Sequence, residues 1–412
     1  MVSCNNRVFV QSFEGSSYVL GFGVSDIAVE DPSSLYIAGY HNGWEAEGLL
    51  DNQQARAVWL GTGEDGILLM SVDCIGLGSD TVERIRKAVD VPNLGIIVCS
   101  THDHAGADTL GLWGPVAIDG KDPGFMENLV QSCREAARQA YSSAHEGRLF
   151  YGEILTEGMQ SDSRDPVCFD RTMRVLRFVP NDGSAATRIV CFAAHAESLR
   201  GANRMLSRDW PGAMADIISK ESGENCLFLN GAIGGLVLTP VLSEEPFDAV
   251  DNMLLTGASL ASYALSCDCS TEVEPSASYV TKAVDIPLDN TLYMYYRFLG
   301  ILGNSMKKGK SGTGYVLKSS VSVLSLGDVN LVLIPGEMFP EMYDDLVPDD
   351  GIWIAAGLAN DEIGYVVDPS SFVLDDRLPF IESVPGHYEE TNSCGVGTYD
   401  ALKKAFEELN LF

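Results

Sequence analysis

The hydrophobic positions fall into short apolar runs separated by longer amphipathic segments. Short runs rich in β-branched residues and bounded by glycine, proline or polar residues predict buried strands, at 21–27, 67–73, 94–99, 148–157, 173–180, 189–194, 225–230, 279–288, 319–326, 329–334 and 353–358. Helical spacing of charged and apolar positions predicts helices at 79–89, 124–147, 206–220, 247–267, 341–346 and 398–409. Ser79 and Asp80 are the predicted N-terminal cap of the first helix. The irregular alternation, without repeats or a linker, predicts one large mixed α/β domain over 1–412, with central β-sheets flanked by helices.

Polar residues follow several of the predicted strands. They are His102 with His104, His195, Glu337 and Tyr365. Strands that end at the same face of a sheet deliver their following residues to one place, and imidazole and carboxylate groups are common metal ligands. Each residue also has an ordinary explanation, as a loop residue or as a satisfied member of the core. The pattern therefore indicates a candidate metal site but does not exclude the ordinary explanations.

Charge and cysteine usage restrict the partners and the compartment. The net charge of −31 argues against nucleic acid and anionic membrane surfaces, which are bound through basic patches. We find no apolar stretch long enough for an integral membrane segment, and residues 1–7 carry no apolar signal core. Several of the ten cysteines lie in apolar runs, which is typical of buried free thiols. We expect a soluble, cytoplasmic protein. Whether a leader was removed before residue 1 stays open.

The glycine-rich segment 230–235 follows a predicted strand. A phosphate-binding loop is one interpretation, but the segment lacks the Walker lysine and the dinucleotide-binding spacing. A tight turn beside a site is the simpler interpretation.

The order of motifs along the chain resembles the neutral ceramidase family, zinc-dependent amidases that cleave the N-acyl bond of ceramide. Thr101-His102-Asp103-His104-Ala105-Gly106 resembles the family's Thr-His-Thr-His-Ser-Gly motif. Further similar segments are 21–27, 39–40, 55–57, 163–166, 195–212, 335–337, 357–365 and 388–389. Short motifs match by chance when taken singly, so their shared order carries the resemblance.

The resemblance implies a zinc site and substrate-binding groups. Its implied zinc ligands are His102, His195, Glu337 and Tyr365. His104 would orient a ligand or the substrate. Arg164 and Tyr388 match residues that hold the substrate carbonyl near the metal, where such donors stabilise an oxyanion.

Two departures from the family concern the chemistry. Gly231 stands where the resemblance places the serine nucleophile, in a Ser-Asn-x-Gly turn, so the serine route is absent in that register. Glu197 replaces a threonine two residues after His195, on the same face of an extended segment, where it could reach the metal-bound water. Glu197 is our first candidate for the general base and Asp209 the second. Alternatively, Glu197 pairs with an arginine, and the neighbouring candidates are Arg200 and Arg204.

Two further departures concern the substrate. Asp51-Asn52 replaces a basic pair of the family, and the chain ends at Phe412 without the family's C-terminal β-sandwich. We therefore expect a pocket smaller or more polar than a two-chain lipid needs.

The sequence predicts a zinc-dependent amidohydrolase that cleaves an amide or ester bond of a small molecule through a metal-activated water. The alternatives are a metal-binding homologue without catalysis and a true ceramidase with an unrecognised nucleophile. The sequence names neither the substrate nor the oligomeric state.

Overall fold

The computed structural model describes residues 8–63, 65–162, 164, 167–303, 306–309, 314–372 and 387–411. The N-terminal segment 1–7, with Cys4, lies outside the described residues. So do Ser163, Asp165 and Pro166 of the motif at 163–166.

The described chain alternates strands and helices along its whole length. The strands are β1 Phe9–Glu14, β2 Tyr18–Asp26, β3 Gly48–Leu49, β4 Gln54–Gly61, β5 Gly66–Val72, β6 Gly95–Ser100, β7 His145–Leu155, β8 Ser161–Asp162, β9 Thr172–Pro180, β10 Thr187–Phe192, β11 Met205–Leu206, β12 Asn225–Asn230, β13 Val237–Leu238, β14 Thr271–Val273, β15 Ser276–Leu288, β16 Met306–Lys308, β17 Tyr315–Leu326, β18 Val329–Leu333, β19 Glu337–Met338, β20 Ile352–Ala356 and β21 Tyr365–Val366. The helices are α1 Ser79–Ala88, α2 Pro123–Ser142, α3 Asp209–Ser222, α4 Ala249–Ser266, α5 Thr291–Phe298, α6 Pro340–Leu346, α7 Tyr388–Thr391 and α8 Thr398–Glu407, with 3-10 turns at Pro32–Ser34 and Pro369–Ser371.

Two large sheets form the centre of the fold. The nine-stranded sheet has the order β12-β10-β9-β7-β2-β4-β5-β6, with β14 paired to β7. The six-stranded sheet has the order β1-β15-β17-β18-β20, with β16 paired to β17. Most neighbouring strands are antiparallel, whereas β5–β6, β10–β12 and β18–β20 are parallel. The predicted mixed α/β fold class is confirmed.

The two sheets share one hydrophobic core. Leu69 of β5 and Leu176 of β9 belong to the same buried cluster as Leu324 of β17 and Leu331 of β18. The strand β12 at one end of the large sheet also approaches β5, the strand next to the other end, since Ser71 Oγ of β5 donates a 2.6 Å hydrogen bond to the carbonyl oxygen of Phe228 in β12. This curvature brings the loops after β6 and β12 to one side of the core.

Helix α2 packs on the outer face of the large sheet at two glycines of β2. A Cβ atom at Gly21 would lie 2.0 Å from the carbonyl oxygen of Ala140, and one at Gly23 would lie 2.1 Å from that of Ala136. Both distances are far inside van der Waals contact, so any side chain here would push the helix away. The spaced glycines of segment 21–27 are thus explained by helix packing.

Several sequence-based boundaries need correction. Helix α2 ends at Ser142 rather than at 147, because the chain from His145 joins the sheet as β7. The predicted cap of α1 is wrong, since Gly78 occupies that position and the backbone N–H of Ser79 donates to Asp361 Oδ1 at 2.7 Å. Strand β1 and helix α5 were not predicted.

The described cysteines are free, and most of them are buried. This agrees with the interpretation as buried thiols. Within the described residues, no helix combines the length and the apolar character needed to cross a bilayer.

Candidate metal centre

The loops after β6 and β10 carry the first two histidines. His102 has a φ of +62°, a left-handed conformation that is unusual for a side-chain-bearing residue. Its Nδ1 lies 2.7 Å from the carbonyl oxygen of Ile75, and Nδ1 of His195 lies 2.8 Å from that of Val237. A carbonyl accepts only, so each Nδ1 carries the proton and each Nε2 presents a lone pair. Both imidazoles are therefore fixed in the tautomer that binds a metal through Nε2.

Glu337, the first residue of β19, faces both Nε2 atoms. Its Oε2 lies 3.1 Å from Nε2 of His195 and 3.3 Å from Nε2 of His102. When the two imidazoles are neutral, two lone pairs and a carboxylate oxygen meet here, an arrangement that a cation satisfies. Ligand atoms about 2.0–2.1 Å from a tetrahedral zinc stand roughly 3.3–3.4 Å apart, close to these separations. The donor set and its spacing fit zinc.

The charge at Glu337 reflects this arrangement. Burial disfavours its ionised form, but His102 and His195 outweigh that effect and hold the pKa of the Glu337 carboxyl below its usual value. Burial lowers and Glu337 raises the pKa of His195, with the net shift upward. The centre therefore favours an ionised carboxylate.

Tyr365 lies next to Glu337 because β19 and β21 pair in parallel with these two residues in register. Its phenol is buried, and burial followed by the Glu337 carboxylate raises the pKa of Tyr365. The Tyr388 ring stands 6.0 Å from the Tyr365 ring, edge to face. The structure thus brings His102, His195, Glu337 and Tyr365 together, as the resemblance implied.

His104 also belongs to the cluster. The nearest ligand atoms of His102, His104 and His195 all lie within 4.8 Å of one another. Both ring nitrogens of His104 are buried without a hydrogen-bond partner among the described residues. Its Nδ1 lies 3.6 Å from Glu197 Oε2. His104 can therefore serve a bound ion, a water or a substrate.

Glu197, the first candidate base, is buried beside His104. Its Oε2 accepts a 2.5 Å hydrogen bond from the Tyr40 hydroxyl, and its Oε1 lies 3.9 Å from Arg200 Nη1. Of the two arginines considered as partners of Glu197, Arg200 is therefore the one that lies near its carboxylate. Arg204 instead pairs with Glu47 at 3.1 Å.

Asp209, the second candidate base, is occupied by its own loop. Its carboxylate accepts hydrogen bonds from the backbone N–H groups of Ser198, Leu199 and Trp210, and from the Ser198 hydroxyl. Asp51 is likewise engaged, with Ser207 and with Arg208 at 2.8 and 2.9 Å. These two carboxylates hold loops in place.

A cavity opens beside the cluster. Its wall includes His102, His104, Glu337, Tyr365 and Tyr388, together with apolar side chains of the segment 110–113. Tyr388 is 44% exposed and forms part of this wall. The Arg164 guanidinium stacks 4.1 Å from the centre of the Phe339 ring, outside the residues that line this cavity.

Asn230, at the end of β12, joins the two histidine loops. Its Nδ2 donates to the carbonyl oxygens of Thr101 and Ala194, both at 3.1 Å. Its Oδ1 accepts from the N–H groups of Ala194 and Gly231, at 3.2 and 3.1 Å. All four hydrogen-bonding positions of the amide are used.

Gly231 lies in a second cavity, with Asp170, Arg174 and Tyr343. In the loop 231–238 that begins at Gly231, the carbonyl oxygen of Val237 accepts a hydrogen bond from Nδ1 of His195 in the metal cluster. Residues 231–238 contain no serine, threonine or cysteine. A different alignment register within this loop would therefore supply no hydroxyl or thiol nucleophile.

No role in the site was assigned from the sequence to Asn230, Tyr40 or Glu362, the last of which also lines the cavity beside the cluster. Asn230 counted as part of a turn and Tyr40 as part of a motif. For Asn230, the signal in the sequence was a buried strand that ends in a side-chain amide directly before glycine. Such an amide can satisfy the backbone groups of neighbouring loops.

Known proteins resemble this chain in fold. Among solved structures, the neutral ceramidase of Pseudomonas aeruginosa superposes with a TM-score of 0.75 at 17% identity, over 95% of this chain and 73% of that one. The chain shares the neutral ceramidase fold. A ceramidase complexed with C2 superposes with a TM-score of 0.71 at 16% identity, over 95% of this chain and 74% of that one.

Neutral ceramidases also match in sequence. Neutral ceramidase B of Dictyostelium discoideum is 22% identical over 258 residues, which cover 53% of this chain and 35% of that protein. Neutral ceramidase of Drosophila pseudoobscura pseudoobscura is 23% identical over 236 residues, covering 51% and 33%. The matches thus span about a third of these relatives. No protein-family model matches the chain.

Proposed function

We propose that the protein is a zinc-dependent hydrolase that cleaves a carbon–nitrogen amide bond, or an ester bond, of a small molecule. The observation that carries this proposal is the position of Glu337 Oε2, 3.1 and 3.3 Å from the Nε2 atoms of His195 and His102. The resemblance to neutral ceramidases in sequence and fold supports the reaction class.

His102, His195, Glu337 and Tyr365 would hold the zinc ion. When bound, zinc supplies a Lewis acid that polarises a carbonyl and makes water a stronger acid. The nitrogen and oxygen donors of this set suit zinc. Ile75 and Val237 fix the two imidazoles through their carbonyl oxygens.

Glu197 would take the proton of the attacking water at Oε2. That oxygen lies 3.6 Å from His104 Nδ1 and already accepts from Tyr40 at 2.5 Å. A carboxylate within hydrogen-bond reach of the reacting group is suited to this role. Asp209 is the weaker candidate because its oxygens are occupied by the loop 198–210.

Tyr388 would donate to the substrate carbonyl from the cavity wall. Arg164 would assist only after its guanidinium leaves Phe339. Because the loop 231–238 lacks a hydroxyl or thiol, water is the nucleophile that this site favours over an acyl-enzyme.

The test is hydrolysis of a panel of N-acyl amides and esters by zinc-supplemented protein, with a chelator as inhibitor. We expect His195→Ala to lose both zinc and activity, whereas His145→Ala, whose exposed side chain pairs with Asp182, keeps both. Bound zinc without turnover of any compound would favour the metal-binding homologue. Rapid turnover of long-chain ceramide without detergent would favour a true ceramidase.

A further inference from the structure

The cavity beside the metal cluster contains a buried carboxyl oxygen without a partner. Glu362 lines this cavity and is 9% exposed. Its Oε1 accepts a 2.8 Å hydrogen bond from the backbone N–H of Gly364. Its Oε2 is buried and has no hydrogen-bond partner in the part of the chain that the structure describes. Burying such an oxygen unpaired costs stability, so its presence points to a ligand.

The charged groups near Glu362 are the carboxylates of Glu337 and Asp361 and the guanidinium of Arg297, which lines the same cavity and donates to the carbonyl oxygen of Leu302. Burial, followed by the Glu337 and Asp361 carboxylates, raises the pKa of the Glu362 carboxyl. No cationic side chain among the described residues forms an ion pair with it. An ammonium group that enters the cavity would favour the ionised carboxyl and would donate a charge-assisted hydrogen bond to Oε2 without displacing a protein partner. The net charge of −31 also raises the local concentration of cations.

The remaining wall fits a short alkyl chain. Leu110, Leu112 and Trp113 line the same cavity and offer apolar surface to methylene groups. The Trp113 ring is also a surface that attracts alkylammonium groups. Apolar surface beside a buried carboxylate matches an aliphatic chain that carries a protonated amine.

We propose that Glu362 binds a primary ammonium group of the substrate, so that the substrate class is an amide bearing a protonated amine on a short aliphatic chain. The identity of the cleaved bond rests on the proposed hydrolase function, whereas ammonium binding at Glu362 does not. Glu362 would thus select the substrate without taking part in the bond cleavage.

Binding of three matched probes tests this assignment. N-(4-aminobutyl)acetamide, N-(4-hydroxybutyl)acetamide and N-butylacetamide share a chain and an amide and differ in the terminal group. We expect the full-length protein, with its metal content left as purified, to bind the ammonium probe at least about tenfold more tightly than the other two, by calorimetry. Equal binding, or tighter binding of the hydroxyl probe, would overturn the proposal without any variant.

Variants test whether Glu362 causes the preference for the ammonium probe. Glu362→Gln keeps the acceptor for Gly364 and removes the charge, so it should fold, as judged by thermal unfolding, and lose the preference. Glu127→Gln removes an exposed charge on α2 and should keep it. A preference that survives in folded Glu362→Gln contradicts the assignment. Absence of hydrolysis with a Glu362-dependent preference would refute the hydrolase function alone, whereas hydrolysis without any ammonium preference would refute only the role of Glu362.

Discussion

Nδ2 of Asn230 donates a 3.1 Å hydrogen bond to the carbonyl oxygen of Thr101, which precedes His102 in the chain. The same amide also binds Ala194, which precedes His195. One buried side chain therefore helps to hold together two loops that lie far apart in sequence. The backbone also joins these loops, since the N–H of His104 donates to the carbonyl oxygen of Ala196 at 2.9 Å, and the amide adds to this support of the metal ligands.

Asn230→Ala should weaken zinc binding by roughly 10- to 100-fold, a range typical for groups that orient metal ligands. Competition with a zinc chelator measures the affinity. Asn225→Ala, at the other end of β12, removes a 3.3 Å bond to Thr187 and should leave the affinity unchanged. Equal affinity in the Asn230 variant would show that the loops hold their spacing without the amide.

Glu197→Gln should lower turnover by roughly 10²-fold or more with zinc still bound, because an amide cannot accept the proton. The variant retains an acceptor oxygen for the Tyr40 hydroxyl, so the local packing should survive. Steady-state kinetics with zinc analysis of the same samples separates the two effects. Full activity would remove Glu197 from the mechanism.

Reagents that trap serine nucleophiles, such as fluorophosphonates, should leave activity unchanged, since the loop 231–238 has no hydroxyl or thiol. Mass spectrometry of the protein quenched during turnover should show no acyl adduct. An adduct on any side chain would refute direct attack by water.

Asp361→Asn should change how stability depends on pH. Burial is the main cause that raises the pKa of Asp361 from 3.8 to about 6. As the pH rises through this interval, the unfolded chain releases the proton while the folded chain keeps it. The free energy of unfolding of the wild type should therefore fall relative to the variant by about 2 kcal/mol between pH 4 and 7.

Denaturant unfolding at several pH values measures this difference. The variant preserves the acceptor for Ser79 and Glu362 and a partner for the Ser319 hydroxyl. Asp345→Asn is the control, because the Lys403 and Tyr399 hydrogen bonds lower the pKa of Asp345. A pH-independent difference for Asp361→Asn would contradict the expected titration.

The predictable part of the fold came from local patterns. Apolar runs such as 94–99 and 225–230 indicated strands because their burial leaves a continuous hydrophobic signature. The boundary of α2 was missed because His145–Leu155 is a strand by virtue of pairing with β2 and β9, which no local pattern records. The cap of α1 was missed for a similar reason, since its acceptor comes from Asp361.

The candidate site likewise has a part that the sequence predicts and a part that it does not. Polar residues after strand ends, Glu337 and Tyr365 among them, marked the centre, and the resemblance implied which of them are the zinc ligands. The roles of Asn230 and Glu362 depend on contacts between segments that are distant in sequence, so the only sequence signal was the amide of Asn230 directly before glycine. The motif that contains Gly21 was visible in the sequence. The reason for the glycine, the close approach of α2, was not visible there.

The most direct test of the central claim is a crystal structure of the zinc-supplemented protein with anomalous data collected on both sides of the zinc edge. We predict one anomalous peak within about 2.0–2.2 Å of Nε2 of His102 and His195 and of a Glu337 oxygen, with the Tyr365 hydroxyl as a further ligand. A structure without a zinc peak at these residues, or with the ion bound elsewhere, would contradict the account.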